Sequence, residues 1–155
     1  MRLTKQTNYA VRMLMYCASS DGLVRVGEVA RFYRLPEPFM TKIQQALNRA
    51  GFVETVRGRG GGMRLARPAT EISLGTVVRR IEDSFVLAEC FDEGETRCPL
   101  VTTCGLNGAL SRALDAFFAV LDEYTLADLV GNERNLNVLV QLNAMTEGTP
   151  PPIAH

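Results

Sequence analysis

Residues 52–66 read FVETVRGRGGGMRLA, and this stretch decides the fold. Residues 52–56 mix β-branched and apolar side chains with polar ones, as a half-buried strand does. Residues 57–62 contain four glycines, and residues 63–66 can return as the partner strand. The stretch therefore predicts a β-hairpin with arginines at its tip, where glycines let the backbone approach another molecule closely.

Three helices are predicted before this hairpin. Thr4 can cap a helix over residues 5–18, because apolar residues recur there at spacings of three and four. A second, short helix is predicted over residues 27–33. Pro38 favours the first turn of a third helix, which ends before Gly51.

The third helix has an apolar face and a polar face. Its apolar stripe consists of Phe39, Ile43, Ala46 and Leu47. On or beside the free face lie Thr41, Lys42, Gln44, Gln45, Asn48 and Arg49. Amide and guanidinium groups can pair with adenine and guanine edges in a major groove, and a solvated helix face is the alternative interpretation. Two helices, a tight turn and such a face predict a helix-turn-helix.

Together the helices and the hairpin predict a winged helix-turn-helix that binds double-stranded DNA. We expect Arg59 to enter a minor groove, and Arg57 and Arg64 to face phosphates. A nucleotide-binding glycine loop is rejected, because its spacing fails at Met63 and a strand replaces the helix that it requires. The residues predicted to contact DNA are Thr4, Tyr9, Thr41, Lys42, Gln44, Gln45, Arg49, Arg57, Arg59, Gly60 and Arg64.

Charge is divided unevenly along the 155 residues, although the net charge is zero. Residues 1–67 hold twelve Lys and Arg and four acids, whereas the remainder holds five and thirteen. A basic anion-binding module joined to an assembly or sensing module would show this division, as would ordinary uneven surface charge. No apolar run approaches the roughly 20 residues of a membrane span, so we expect a cytoplasmic protein without a membrane partner.

Three of the four cysteines lie in an aperiodic segment with the spacing Cys-x7-Cys-x5-Cys: Cys90, Cys98 and Cys104. Paired zinc knuckles are absent and the single histidine is His155, so zinc fits poorly. An iron-sulfur or other metal site, a disulfide, a redox pair and reduced structural thiols remain open. Cys17 has helical spacing with its apolar neighbours and is predicted to be a buried core thiol.

The second half is predicted to be helical around this cysteine loop. Ser73 can cap a fourth helix, with Ile72 stapled onto Val77. Residues 106–124 form the longest periodic segment, which we interpret as a dimerisation helix, with an ordinary core helix as the alternative. Thr125 can cap one further turn.

The predicted architecture is therefore mainly α, in four regions. Residues 1–67 form the DNA-binding region, and residues 68–104 contain the connecting helix and the cysteine loop. Residues 105–142 comprise the dimerisation helix and a C-terminal segment, and residues 143–155 are predicted to be a disordered tail.

The start of the chain (MRLTK followed by Tyr9-Ala10), the RGRGG wing and the three-cysteine loop resemble the RirA, NsrR and IscR family. Its members are dimeric bacterial winged-helix transcription regulators with iron-sulfur clusters. The resemblance covers roughly residues 1–142 and is greatest for the iron-responsive RirA repressors. It implies that Cys90, Cys98 and Cys104 ligate a cluster, with [4Fe-4S] as the expected form and [2Fe-2S] as a degradation form.

The fourth cluster ligand is where the chain departs from its relatives. Asn8 stands where nitric-oxide-sensing members have aspartate, and Asn107 where the regulator of cluster assembly has histidine. One iron would then be held by water, a small ligand or a weak carboxylate: Glu89, Asp92, Glu93 or Glu95. Such a labile iron predicts a repressor of iron-uptake genes. A nitric oxide sensor, a repressor that functions without a cluster and a thiol redox protein are the alternatives.

Overall fold

The structure, a computed structural model, describes residues 3–91, 98–99 and 103–131, excluding the side chain of Cys90. Three of the predictions lie outside these residues: the Cys90 side chain as a ligand, the C-terminal segment over residues 132–142 and the disordered tail 143–155. The loop carboxylates Asp92, Glu93 and Glu95 also lie outside them.

Three helices open the fold as predicted: α1 (Lys5–Ala18), α2 (Val26–Tyr33) and α3 (Glu37–Arg49). The Thr4 side chain accepts a hydrogen bond from the backbone N–H of Thr7 and so caps α1. The second helix starts one residue before its predicted start.

The apolar stripe of α3 is rotated relative to the prediction. Met40, Ile43 and Leu47 are buried, whereas Phe39 and Ala46 are only half-buried. The prediction omitted Met40, which points directly into the core and is 0% exposed. The opposite, polar face of α3 remains in solvent.

The hairpin consists of β1 (Val53–Val56) and β2 (Gly62–Leu65). The first strand is one residue shorter than predicted, and the second begins and ends one residue earlier than predicted. The strands pair antiparallel, with Val53 opposite Leu65. Val24 adds a bridge to Met63 through two backbone hydrogen bonds of 2.8 Å. This bridge, which the sequence did not reveal, fixes β2 to the segment between α1 and α2.

The second half contains α4 (Leu74–Ile81), α5 (Gly105–Asp122) and α6 (Leu126–Val130). The Ser73 side chain caps α4 and the Thr125 side chain caps α6, as predicted. Single turns of 3-10 helix cover residues 69–71 and 89–91. A backbone bridge between Ser73 and Thr125 joins the starts of α4 and α6. None of the helices in the described ranges is long and apolar enough to cross a membrane.

One apolar core joins both halves. Its most buried members come from α1, α2, α3, both strands, α4 and α6, namely Ala10, Met13, Leu14, Val29, Met40, Ile43, Leu47, Val53, Met63, Val77, Ile81 and Leu126. Cys17 is also buried, as predicted, and this burial raises the pKa of its thiol to about 12. By contrast, α5 contributes no buried side chain to this core.

Candidate nucleic-acid interface and cysteine segment

The outer face of α3 presents polar groups that are not used inside the fold. Lys42, Gln45 and Arg49 are exposed and make no side-chain hydrogen bond or ion pair with any residue that the structure describes. Thr41 is half-buried, and its hydroxyl donates to the Glu37 carbonyl at 3.0 Å. The cation and amide groups on this face are therefore available to an external partner.

One flank of α3 faces the hairpin across a cleft of 380 Å³. We call this the α3–hairpin cleft; its lining residues are Gln44, Gln45, Asn48, Thr55, Val56, Arg57 and Gly62. Gln44 and Asn48 are four residues apart and so lie on the same side of the helix. The cleft brings together two predicted groups that are distant in sequence, the α3 amides and the hairpin arginine.

The hairpin tip is built by glycines with positive φ. Gly58 has φ 108° and Gly60 has φ 90°, a region that side chains disfavour. The backbone N–H of Gly61 donates to the Gly58 carbonyl at 2.9 Å and closes the turn. Arg57 and Arg59 are exposed there and lack hydrogen-bond or ion-pair partners within residues 3–91, 98–99 and 103–131.

Arg64 does not line the α3–hairpin cleft. It is directly opposite Glu54 in the strand register, and its guanidinium lies 3.2 Å from the Glu54 carboxylate. Both side chains are more than half exposed, so the pair is only weakly stabilising. Arg64 is thus already paired within the protein, unlike Arg57.

Thr4 and Tyr9 are also engaged within the fold. The Thr4 hydroxyl donates to the Glu82 carboxylate at 3.1 Å, in addition to capping α1. The ring of Tyr9 is half-buried and meets Phe39 edge to face, with ring centres 5.7 Å apart. The Arg12 guanidinium lies over Tyr9 at 5.6 Å. These contacts give both residues a structural role at the start of α1.

Glu82 is a central residue of this region that sequence reasoning missed. Its carboxylate accepts hydrogen bonds from the Thr4 backbone N–H at 3.1 Å and from the Thr7 hydroxyl at 2.5 Å. The Gln6 side chain also donates to the Ile81 carbonyl at 3.4 Å. The end of α4 is therefore bonded to the start of α1, where the helix dipole favours a negative charge. No local pattern could reveal a pairing across 75 residues of sequence.

Two further polar residues border α3 without having been predicted as site residues. Arg80 of α4 and Gln6 of α1 line a cavity of 320 Å³ together with Arg49. Asp83 lines it as well and offsets part of the positive charge. Asn48, which lies on the predicted free face but was not among the predicted contacts, lines the α3–hairpin cleft.

The cysteines differ in accessibility. Cys98 is exposed, and Cys104 is half-buried at the N-cap of α5, where its side chain makes no capping hydrogen bond. Cys90 lies in the short turn over residues 89–91. No group of three potential metal ligands occurs among the described residues, which exclude the Cys90 side chain and most of the loop. Three thiols and no nearby histidine in the sequence are a donor set that suits an iron-sulfur cluster.

The segment that enters the cysteine loop is packed on α5. The ring of Phe85 meets Phe118 edge to face at 4.8 Å. The Arg79 guanidinium lies 4.1 Å from the Phe118 ring centre and binds both carboxylate oxygens of Asp122, at 2.6 and 2.7 Å. The hydrogen bond from Arg79 holds the pKa of Asp122 below its usual value. These contacts fix α4 and the entrance of the loop against the C-terminal part of α5, whereas the loop ends at the N-terminal start of that helix.

Several known proteins are similar to this chain. Residues 3–132 match the family described as Rrf2, iron-dependent transcriptional regulator. The chain belongs to the Rrf2 family. It is 61% identical over 143 residues to Protein aau3 of Rhizobium meliloti, covering 92% of this chain and 93% of that protein. It is 42% identical over 142 residues to the HTH-type transcriptional regulator NsrR of Oceanobacillus iheyensis, covering 90% of this chain and 97% of the relative.

Among solved structures, T. potens IscR superposes with a TM-score of 0.68 at 22% identity, covering 98% of this chain and 94% of that chain. This likeness concerns the fold, and it confirms the predicted winged helix. Membership of the Rrf2 family confirms the predicted resemblance and makes the chain a transcription regulator rather than an enzyme.

Proposed function

We propose that this Rrf2 regulator is a homodimeric cytoplasmic repressor of iron-uptake genes, which binds operator DNA when an iron-sulfur cluster is bound and releases it when iron is scarce. The observation that carries the proposal is the position of the cysteine segment. It begins just after Glu82, which is bonded to α1 of the DNA-binding half, and it ends at α5.

The DNA-binding part is supported by the exposed polar groups of α3 and the hairpin tip, among which Lys42, Gln45, Arg49, Arg57 and Arg59 are unpaired within the described residues. The residues that we propose as contacts are Tyr9, Thr41, Lys42, Gln44, Gln45, Arg49, Arg57, Arg59 and Gly60. Arg64 and Thr4, which are engaged with Glu54 and Glu82, are expected to contribute less. Rrf2 membership and the NsrR relative, an HTH-type regulator by name, support the same role.

The residues that would hold the cluster are Cys90, Cys98 and Cys104. When bound, a cluster would cross-link three points of one loop. The integrity of the cluster would depend on iron supply and on oxidants. Side chains at the start of that loop connect it to both halves of the protein. Phe85 packs the loop entrance on α5, and Glu82 connects it to α1.

The homodimer is supported by an uncovered apolar line on α5. We call this line the α5 seam; it consists of Leu106, Ala109, Ala113, Ala116 and Val120. All five residues are exposed, Leu106 at 64% and Val120 at 52%, within the part of the chain that the structure describes. Their alternating spacing of three and four is that of a helix-packing seam. A two-fold dimer would place its two reading heads about one helical turn of DNA apart, ~34 Å.

Replacing one thiol tests the sensing part of the proposal. We expect Cys98→Ala, purified without oxygen, to lose iron and to lose tight binding to a duplex that the wild-type protein selects from a random library. Cys17→Ala is the matched control, because Cys17 is buried away from the loop and should leave iron content and DNA affinity unchanged. Unchanged tight binding by iron-free Cys98→Ala, measured by fluorescence anisotropy, would refute cluster control.

Nitric oxide sensing is a second candidate, favoured by the 42% identity to an NsrR protein. Nitric oxide attacks iron-sulfur clusters generally, so both signals can lower DNA affinity. Comparing the loss of DNA binding under iron chelation with that under substoichiometric nitric oxide separates the two. An iron sensor loses its cluster and releases DNA when the chelator is added without nitric oxide. A nitric oxide sensor keeps its cluster in the presence of the chelator.

A further inference from the structure

The α3–hairpin cleft lies between two elements that the proposed function places in different grooves. The outer line of α3 is to enter a major groove, and Arg59 at the hairpin tip is to enter the adjacent minor groove. One sugar-phosphate strand separates these grooves in duplex DNA. A protein that occupies both must straddle that strand, so the surface between helix and hairpin has to face it.

The side chains of the cleft have the chemistry that a phosphate strand requires. Asn48 and Gln44 supply amide N–H donors, Thr55 a hydroxyl and Arg57 a guanidinium. Guanidinium groups bind phosphate oxygens bidentately, and amide and hydroxyl groups are common donors to the DNA backbone. Val56, 45% exposed in the same cleft, offers apolar surface to deoxyribose.

Negative charge is directed away from the cleft. No carboxylate is among its lining residues. Glu54 and Arg64 instead line a separate cavity of 660 Å³ beside the end of α1. The Glu54 carboxylate is paired with Arg64 there. The cleft therefore keeps an uncompensated positive charge at Arg57.

The position of the amides on α3 separates them into two groups. Gln45 points most directly away from the buried Ile43 and Leu47, and its side chain also borders the cleft. Gln44, half-buried, and Asn48 border the cleft from the flank of the helix between Gln45 and the core. When a helix lies in a groove, side chains that point away from the core reach the base edges. Side chains on the flank of the helix meet the sugar-phosphate strand.

We infer that the α3–hairpin cleft is the seat of the sugar-phosphate strand, and that Asn48, Thr55 and Arg57 position the protein by binding phosphates. Base recognition is left to the outer line of α3, with Gln45 at its centre. This inference rests on the proposed DNA-binding function and divides the predicted contacts into positioning and specificity-determining residues. It also assigns a DNA contact to Asn48 and moves Gln44 from base recognition to backbone binding.

The test compares two duplexes for the anaerobically purified full chain: one selected by the wild type from a random library, and one of shuffled sequence. Arg57→Ala is expected to weaken binding to both by the same factor, about fivefold per contact at ~0.15 M salt, and to reduce the salt slope by about one. Asn48→Ala is expected to weaken both equally, by roughly two- to fivefold, without changing the salt slope, because no charge is removed.

Two further variants sharpen the outcome. Gln45→Ala is expected to weaken only the selected duplex. Arg64→Ala, the same residue type outside the cleft, is expected to have a smaller effect than Arg57→Ala. A change in the ratio of the two affinities for Asn48→Ala or Arg57→Ala overturns the inference, as does the absence of any effect. If the wild type binds neither duplex, the proposed function fails instead. Circular dichroism of each variant excludes unfolding as the cause.

Discussion

Helices α1 and α5 are both apolar on one side, yet their surroundings differ. The 14 residues of α1 bury five side chains in the core, whereas the 18 residues of α5 bury none within the described part of the chain. The apolar side of α1 is covered by other elements of the same chain. In the second helix the α5 seam is exposed within the described residues, which fits the proposed dimer.

This contrast matches the division of charge. The half built around α1 is basic and presents unpaired cations and amides, which fits a surface for DNA. The half that contains α5 is acidic and presents apolar residues and thiols, which fits assembly and sensing. Glu82 and Arg79 connect the two, the first to α1 and the second to α5.

The largest effect should come from a core residue of α1. Leu14→Ala removes a fully buried side chain, so we expect the free energy of unfolding to fall by about 2–5 kcal/mol. Leu106→Ala is the matched control in α5, compared below the concentration at which the chain self-associates, and it removes the same atoms from a position that is 64% exposed in the single chain. Urea unfolding at one protein concentration compares the variants. Equal losses in the two variants would contradict the contrast between the helices.

A somewhat smaller effect is expected when a charge enters the α5 seam. Val120→Asp should weaken self-association by about 2–3 kcal/mol, since a carboxylate would lose its water on association. Ala119→Asp carries the same charge on the same helix but lies about 100° from Val120, outside the seam. Analytical ultracentrifugation should show monomer for the first variant and dimer for the second. A dimer with unchanged affinity in both variants would show that the seam is not the interface.

The smallest effect concerns the connection between the halves. Glu82→Ala removes the acceptor of the buried Thr7 hydroxyl and of the Thr4 backbone N–H, and should cost about 1–2 kcal/mol of stability. Asp83→Ala changes the adjacent exposed acid and should stay within about 0.5 kcal/mol of the wild type. Thermal unfolding measures both. If the two variants are equally stable, the bonds to α1 contribute nothing to holding α4.

Local features of the fold were predictable from the sequence because each depends on neighbours along the chain. Thr4, Ser73 and Thr125 cap the helices that they were predicted to cap, and the hairpin follows from mixed apolar and polar residues around a glycine-rich turn. The phase of α3 was less accurate, because Met40 and Ala46 are both compatible with helical spacing and only the packed core selects Met40.

Features that depend on distant residues were not predictable. From the sequence, Arg57 and Arg64 were both predicted to face phosphates. Only the strand register shows that Arg64 is opposite Glu54. The bonds of Glu82 to α1 and the bridge from Val24 to Met63 likewise join segments far apart in the chain. Such contacts arise from tertiary packing, which no local periodicity encodes.

We propose that a cofactor held by Cys90, Cys98 and Cys104 controls how tightly the winged helix binds DNA. The decisive experiment is to titrate an iron chelator into the anaerobic protein–DNA complex while recording cluster absorbance and DNA anisotropy on the same sample. We expect both signals to fall together, and added iron and sulfide to restore both. DNA binding that persists at full strength after the absorbance has gone would contradict it.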